Sequence, residues 1–223
     1  MSGGTDIVSC FMLGIPTLPV YSGEIQGPGL GMNIDVYNEK GKPTKKTGEL
    51  VCKTPFPSKP IYFWNDKLNR KYKSAYFEKF PNIWAHGDYV KKTNNGGYVI
   101  FGRSDATLNP GGVRIGTGEI YNSLQKFHWI EDCLATGYMT ENDEKIVLFL
   151  KLSNSKINID FRSVLKKHLK TSLSPRHVPW KVFVVKDIPR TKSGKNSEIL
   201  VKKIINNDKA VSYTHLTLPT IIT

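Results

Sequence analysis

Hydrophobic periodicity changes near residues 103–107, and that change limits what the 223-residue chain can fold into. Before it, apolar residues come in short runs separated by turn residues. "MNIDVYN" (32–38) alternates apolar and polar, "GELVCK" (48–53) is a second run, and "DYVKKTNNGGYVIFG" (88–102) holds two more around an Asn/Gly turn, the pattern of a hairpin. These runs predict a β-rich unit of short strands and tight turns. The stretch between them, 55–88, is interrupted by proline and rich in aromatic residues, which are expected to fill its core. Past residue 107 the spacing turns helical. Ile120, Leu124 and Phe127 share one face behind Thr117, a candidate N-cap, and Phe161, Val164, Leu165, His168 and Leu169 form a second stripe. His168 on that stripe reads as a packed or half-exposed histidine rather than a ligand. "CLATGYM" (133–139), "KIVLFLKL" (145–152) and "WKVFVVKDI" (180–188) read as strands in a βαβ-like alternation, with a short last helix from about Ser197. The expected class is α+β, with a β-rich unit over residues 1–104 and a small α+β unit over 105–209.

Lys and Arg outnumber Asp and Glu by 32 to 19, a formal charge of +13. That balance favours polyanionic partners such as nucleic acid, an anionic membrane or phosphorylated small molecules, without choosing among them. Cys10, Cys52 and Cys133 are odd in number and lack CxxC spacing, which argues against a disulfide framework or a zinc site and fits a reducing, cytoplasmic compartment. No run approaches the roughly 18 apolar residues of a membrane span, and the first residues lack the order of a signal peptide. The last stretch, "AVSYTHLTLPTIIT" (210–223), contains no Lys, Arg, Asp or Glu. Its "VSYTHLTLPT" resembles the translation of a sequencing-library adaptor, so 210–223 is expected to be non-native, and Met1 need not be the native start.

Five short segments carry polar groups suited to chemistry, and each has a plain structural reading beside the functional one. "SGGTD" (2–6) offers amides, a hydroxyl and a carboxylate for phosphate and Mg²⁺, or is a glycine turn. "HGD" (86–88) places an acid that can accept from two vicinal ribose hydroxyls, or caps a turn. "FGRSD" (101–105) ends a strand with Arg103 and Asp105, a possible surface ion pair. "NPGGVRIGTGE" (109–119) allows close approach through Gly111 and Gly112, with Arg114 as a phosphate fork. "TKSGK" (191–195) presents Lys195 after a glycine, or is one more solvated basic loop.

In this order and spacing the segments resemble the adenylate-forming superfamily of acyl-CoA synthetases, luciferases and nonribosomal adenylation domains, and "GELV" (48–51) adds another of its motifs. "SGGTDIVSCF", "PTLPVYSGEIQ", "FWND", "AYFEKFPNIWAHGDYV", "GRSDATLNPGGVRIGTGEIYN" and "SPRHVPWKV" narrow the resemblance to the branch that activates acetoacetate. The resemblance implies that 1–104 is the β-rich end of a large AMP-binding domain and 105–209 its small, mobile C-terminal domain. It implies ATP, acetoacetate and CoA as substrates with Mg²⁺, and two half-reactions through an acyl-adenylate. Lys195 matches the catalytic lysine that bridges carboxylate and α-phosphate. Thr5 matches the α-phosphate hydroxyl, Asp6 the acidic Mg²⁺ position where many relatives have Glu, Asp88 the ribose carboxylate, and Arg103 its partner on the sugar. Asp105 matches the hinge, Gly112 a position lining the pantetheine tunnel, and Arg114 an arginine near the phosphates. Arg176 is a candidate for the phosphates of CoA, with a surface arginine beside a turn as the equal alternative. Arg190 and Lys192 are left as surface cations.

Asn109 stands in a stretch where family members commonly carry Lys, a variation shared by acetyl- and acetoacetyl-type enzymes. The family's Ser/Thr/Gly/Lys phosphate loop, most of its adenine pocket and its main acyl-pocket wall lie upstream of residue 1, and no "GxxxxGK[ST]" replaces them. The chain is therefore expected to be a C-terminal fragment without turnover of its own. An acetyl- or propionyl-type synthetase is the alternative within enzymes. Outside them stands a basic nucleic-acid-binding module, which explains the charge but not the ordered motifs, and a noncatalytic pseudoenzyme, against which Lys195, Asp88 and Arg103 argue.

Overall fold

The computed structural model describes residues 1–153, 160–191 and 194–207; Lys192 and the stretch 210–223 lie outside the described residues. The chain divides into two compact units, Met1–Ser104 and Asp105 onward.

In the first unit β1 (Ser2–Gly4), β2 (Ser9–Leu13) and β3 (Gly27–Pro28) form a small antiparallel sheet. Strands β4 (Ile34–Tyr37), β5 (Gly48–Cys52), β6 (Trp84–Lys92) and β7 (Tyr98–Arg103) make a second antiparallel sheet in chain order. The second sheet is the one the short apolar runs predict. The first has strands too short and too rich in glycine to show a period. The aromatic stretch does fill the core, but partly through a helix, α1 (Arg70–Tyr76), that two turns of sequence were too short to reveal. Leu68 and Asn69 turn the chain through left-handed φ of 62° and 54° before it. The Asp66 carboxylate then accepts the amides of Lys71 (3.0 Å) and Tyr72 (2.9 Å), which would otherwise be orphan donors at the helix start. Tyr72, Tyr76 and Phe77, together with Phe11 and Phe56, pack their rings against Trp84. Trp84 is thereby almost sealed from solvent, while Ile61, Tyr62 and Trp64 of the same stretch stay exposed. The register of β6 on β7 sets Asp88 opposite Arg103.

The second unit is built on β8 (Ile130–Met139) and β9 (Glu144–Leu152), an antiparallel pair, with β10 (Lys181–Val184) parallel to β9 on its other side. Helix α3 (Phe161–Ser172) lies in sequence between the parallel strands, making the βαβ unit. Its Leu165 and Leu169 share a core with Ile120 and Leu124 of α2 (Thr117–Leu124) and with Ile146, Leu148 and Leu150 of β9. The opposite face of the sheet is covered in part by α4 (Glu198–Ile205), whose Val201 packs with Leu134 and Ile188. Three local expectations change. Gly116, not Thr117, is the N-cap of α2: its amide donates to Glu119 Oε1 (3.1 Å), and Thr117 is the buried first residue of the helix. Phe127 lies beyond the end of α2, and Val164 faces outward at 40% exposure. His168 is half-buried beside Ser123, with Nε2 2.9 Å from its hydroxyl. Among the described residues no helix is long and apolar enough to cross a membrane.

Candidate functional site

The first unit gathers its charged candidates around the middle of β6. Asp88, its side chain 13% exposed, places Oδ1 3.3 Å from Arg103 Nη1 and accepts from Ser2 Oγ on Oδ2 (2.8 Å). The same Arg103 nitrogen donates to the His86 carbonyl (3.1 Å). Gly87 lies between these two acceptors with φ +83°, and a Cβ on it would come within 2.4 Å of the Arg103 guanidinium. This position requires glycine for both reasons. The Gly87 amide donates to Glu49 Oε1 (2.6 Å), and Glu49 Oε2 meets Lys79 Nζ (2.6 Å). His86 is buried; its Nε2 is 3.2 Å from the Gly3 carbonyl and its Nδ1 3.5 Å from the Trp84 indole nitrogen. A neutral ring with the proton on Nε2 satisfies both contacts. Burial pushes the His86 pKa down, against the opposing pull of the Asp88 carboxylate.

Thr5 and Asp6 are the exposed first residues of a single 3-10 turn, Thr5–Ile7, directly after β1, and Ile7 is buried. Val8 closes the turn at φ 48°, an uncommon conformation for a β-branched residue and a local store of strain. The Asp6 carboxylate accepts the Tyr76 hydroxyl, and the Tyr76 ring stacks on Trp84 at 3.6 Å. Burial and that hydrogen bond both raise the Tyr76 pKa. Among the described residues no group of three or more His, Cys, Asp or Glu forms a metal cage. A single carboxylate such as Asp6 fits Mg²⁺ in the mode where substrate phosphates and water complete the shell. A groove of about 730 Å³ along α1, lined by Arg70, Lys73 and Phe77 among others, shares none of these residues.

In the second unit the glycine loop is gripped through its backbone. Gly111 and Gly112 take φ of 58° and 75° in the turn Pro110–Gly112. The Asn109 amide donates to Glu144 Oε2 (2.5 Å) and the Gly111 amide to Asp143 Oδ1 (2.7 Å). Arg176 Nη1 donates to the carbonyls of Pro110 (3.2 Å) and Gly111 (2.8 Å). Arg176 therefore holds the loop, an occupation neither of its sequence readings included. A Cβ at Gly112 would meet nothing within 4 Å in this chain, so it is the backbone angle that calls for glycine there. Arg114 is exposed two residues on, and Asp105 is the exposed first residue of the unit.

Lys195 sits exposed on a braced loop. Its amide donates to Thr191 Oγ1 (3.1 Å), its carbonyl accepts from the Thr191 amide (2.8 Å), and Gly194 turns at φ 81°. Arg190 donates from Nη1 to the Gly194 carbonyl (2.6 Å) and pairs through Nη2 with Asp132 on β8. Arg190 is thus a brace for the loop rather than a loose surface cation. Asn196 donates to the Cys133 carbonyl (3.2 Å), and Glu198 accepts the Tyr121 hydroxyl. Cys133 is no candidate nucleophile: burial, with Asp132 and Glu198 nearby, pushes its thiol up to about 12.

The structure thus joins Asp88 to Arg103, and sets Thr5 and Asp6 on the turn that β1 leads into. It also shows Ser2, Glu49, Tyr76, His86 and Arg190 as supports that the motifs contained or flanked without revealing. No protein-family model matches the chain. An acetoacetyl-coenzyme A synthetase of Rhizobium meliloti (strain 1021) is 51% identical over 208 residues, and an acetoacetyl-CoA synthetase of Gallus gallus is 48% identical over 209. Each similarity covers 92% of this chain but only 32% and 31% of those proteins, so the chain spans about a third of the length of the curated relatives it matches. A solved structure of an acetoacetyl-CoA synthetase from Streptomyces lividans superposes with a TM-score of 0.84 at 41% identity, over 91% of this chain and 31% of that one.

Proposed function

We propose, for a chain that belongs by sequence and fold with the acetoacetyl-CoA synthetases of the adenylate-forming superfamily, that it supplies the ribose and α-phosphate contacts and the catalytic lysine of an acetoacetate–CoA ligase. The observation that carries this reading is the Asp88–Arg103 pair, held by Ser2 and His86 beside the strand that leads into Thr5 and Asp6. The relatives' acyl group favours acetoacetate over acetate or propionate.

In the first half-reaction a carboxylate oxygen of acetoacetate attacks the α-phosphorus of ATP, the bond to the bridging oxygen breaks, and pyrophosphate leaves. Both reactants are anions, so the site must offer oriented donors and cations where charge gathers. Asp88, paired with Arg103, accepts from the ribose hydroxyls while the guanidinium donates to the sugar. The Thr5 hydroxyl donates to the α-phosphate, and the Lys195 ammonium bridges that phosphate and the attacking carboxylate. Asp6 would hold Mg²⁺ together with the phosphates, supplying further positive charge. In the second half-reaction the CoA thiol sulfur attacks the acyl carbon, the thiol proton is released, and AMP departs. Gly112 leaves room for the thiol arm, Arg114 serves the phosphates, Asp105 is the hinge between the two arrangements, and Arg176 acts by holding the glycine loop. The unpaired Cys10, Cys52 and Cys133 suit a reducing, cytoplasmic setting.

We expect the 223-residue chain alone to show no acetoacetate-dependent release of AMP. In a protein carrying the relatives' full length, Lys195→Ala should slow pyrophosphate release by about 10²–10³-fold or more, while thioester formation from supplied acetoacetyl-AMP continues. Equal loss in both half-reactions would overturn the role given to Lys195.

A further inference from the structure

We propose that Glu144 is a positioning residue, a buried carboxylate that ties the glycine loop at 109–112 to helix α4, so that this loop and the segment leading out of Lys195 move as one piece. The consequence for catalysis rests on the roles proposed above for Gly112 and Lys195; the tie itself does not.

Glu144 is the first residue of β9 and is 6% exposed. One oxygen, Oε2, accepts the Asn109 amide at 2.5 Å, and the other, Oε1, lies 2.6 Å from Lys202 Nζ in the middle of α4. Strand β8 makes the space: a Cβ on Gly137 would lie 1.8 Å from Oε1, so only glycine admits the carboxylate. A buried carboxylate without a counter-charge is costly, and the Lys202 ammonium is what makes this burial tolerable. The pair is therefore more than a surface contact, since loss of the lysine leaves the charge stranded at the point where the loop amide is held. Neighbouring Asp143 holds the Gly111 amide in the same manner, but its ion-pair partner is Lys145 (2.9 Å), two residues on in β9, and not a residue of α4. Helix α4 is also fixed at both ends. Glu198 takes the Tyr121 hydroxyl at its start, and Asn206 receives the Met139 amide (2.7 Å) and donates to the Gly137 carbonyl (2.9 Å) at its finish. Lys202 thus leaves a helix anchored at both ends, and Glu144 links that helix to the loop.

Backbone amide hydrogen exchange of the 223-residue chain tests the tie without any need for turnover. With Lys202→Met, the Asn109 amide should exchange about tenfold faster or more, as expected for weakening a hydrogen bond to a charged group. Lys202→Arg should return it to the wild-type rate. Glu144→Gln keeps shape and an acceptor, and should speed exchange both at Asn109 and along 199–203. Wild-type exchange at Asn109 in Lys202→Met, or a response to Glu144→Gln confined to the loop, overturns the proposal. Either result leaves the proposed ligase reaction standing, and failure of that reaction would leave the exchange result intact.

Discussion

In the first unit the candidate groups hold one another: Asp88 is bound by Arg103 and Ser2, and Asp6 by Tyr76. In the second unit side chains hold backbone. Arg176, Asp143 and Glu144 grip the glycine loop, Arg190 and Thr191 grip the Lys195 loop, and Lys195 itself is left exposed. A carboxylate already oriented and largely dehydrated needs little reorganisation when a ligand arrives, which suits contacts to a part of the substrate that stays still. An exposed ammonium on a braced loop suits the part proposed for Lys195, meeting its partner in one half-reaction alone. The difference teaches that the units stabilise their candidate residues in different ways, which under the proposed function would divide binding from delivery.

Glycine substitutions separate the two arrangements most sharply. Gly87 and Gly112 both have left-handed φ, 83° and 75°, so alanine costs about 1–2 kcal/mol at either position through backbone strain alone. At Gly87 the new methyl must also displace a guanidinium that is engaged with Asp88 and the His86 carbonyl. Weakening such charged hydrogen bonds adds about 1.5–3 kcal/mol. Urea unfolding should therefore show Gly87→Ala as the more damaging by at least about 1.5 kcal/mol. Equal losses would mean that the paired cluster contributes nothing to the order of the first unit.

Much of the fold was legible because its signals are local. The short apolar runs around Val36, Leu50 and Val90 and the stripe through Leu165 and Leu169 are complete within single elements, and each of these residues is buried. Helix α1 was not legible, because its two turns begin only where Asp66 and two left-handed residues make them. For the candidate site, the motifs named the candidate residues and missed the side chains that support them. Asp88 and Arg103 stood in separate motifs, but their pairing depends on the register of β6 on β7. Glu49 was visible in "GELV", yet its work, receiving the Gly87 amide, depends on a contact 38 residues away in sequence. Arg190 read as a surface cation, and Arg176 as a CoA-phosphate candidate or a surface arginine, because the carbonyls they donate to belong to folded loops and backbone groups carry no sequence signal.

His86 offers a smaller test, confined to the first unit. The ring joins β6 to β1 through the Gly3 carbonyl, and burial lowers its pKa while Asp88 and Glu49 pull upward and Arg103 pushes down. A histidine with a depressed folded pKa binds fewer protons folded than unfolded. Its contribution to stability is present above the unfolded value of about 6.5 and is lost as pH falls below it toward the folded value. The slope this histidine adds to unfolding free energy can approach, at most, about 1.4 kcal/mol per pH unit. His86→Gln should remove that component from unfolding curves measured between about pH 7.5 and 5.5. An unchanged pH slope in the variant would show that the link between β6 and β1 does not depend on a neutral ring.

The smallest effect on stability is expected where the second unit differs most from the first. Arg190 is an exposed residue, 46% accessible at its side chain, and its pair with Asp132 resembles surface ion pairs whose loss costs about 0–1 kcal/mol. Arg190→Gln should therefore barely move the midpoint of unfolding. Its local effect should be larger, because the same guanidinium holds the Gly194 carbonyl directly before Lys195. Amide exchange at Gly194 and Lys195 should quicken several-fold while the amides of β8 and β9 keep their wild-type rates. That combination is the mark of side chains holding backbone, since a loop can loosen without the core beneath it. Unchanged exchange at both residues would mean that Thr191, through its hydroxyl and amide, holds the loop alone. The contrast between the units would then fail at Lys195, the group for whose delivery the bracing is proposed to exist.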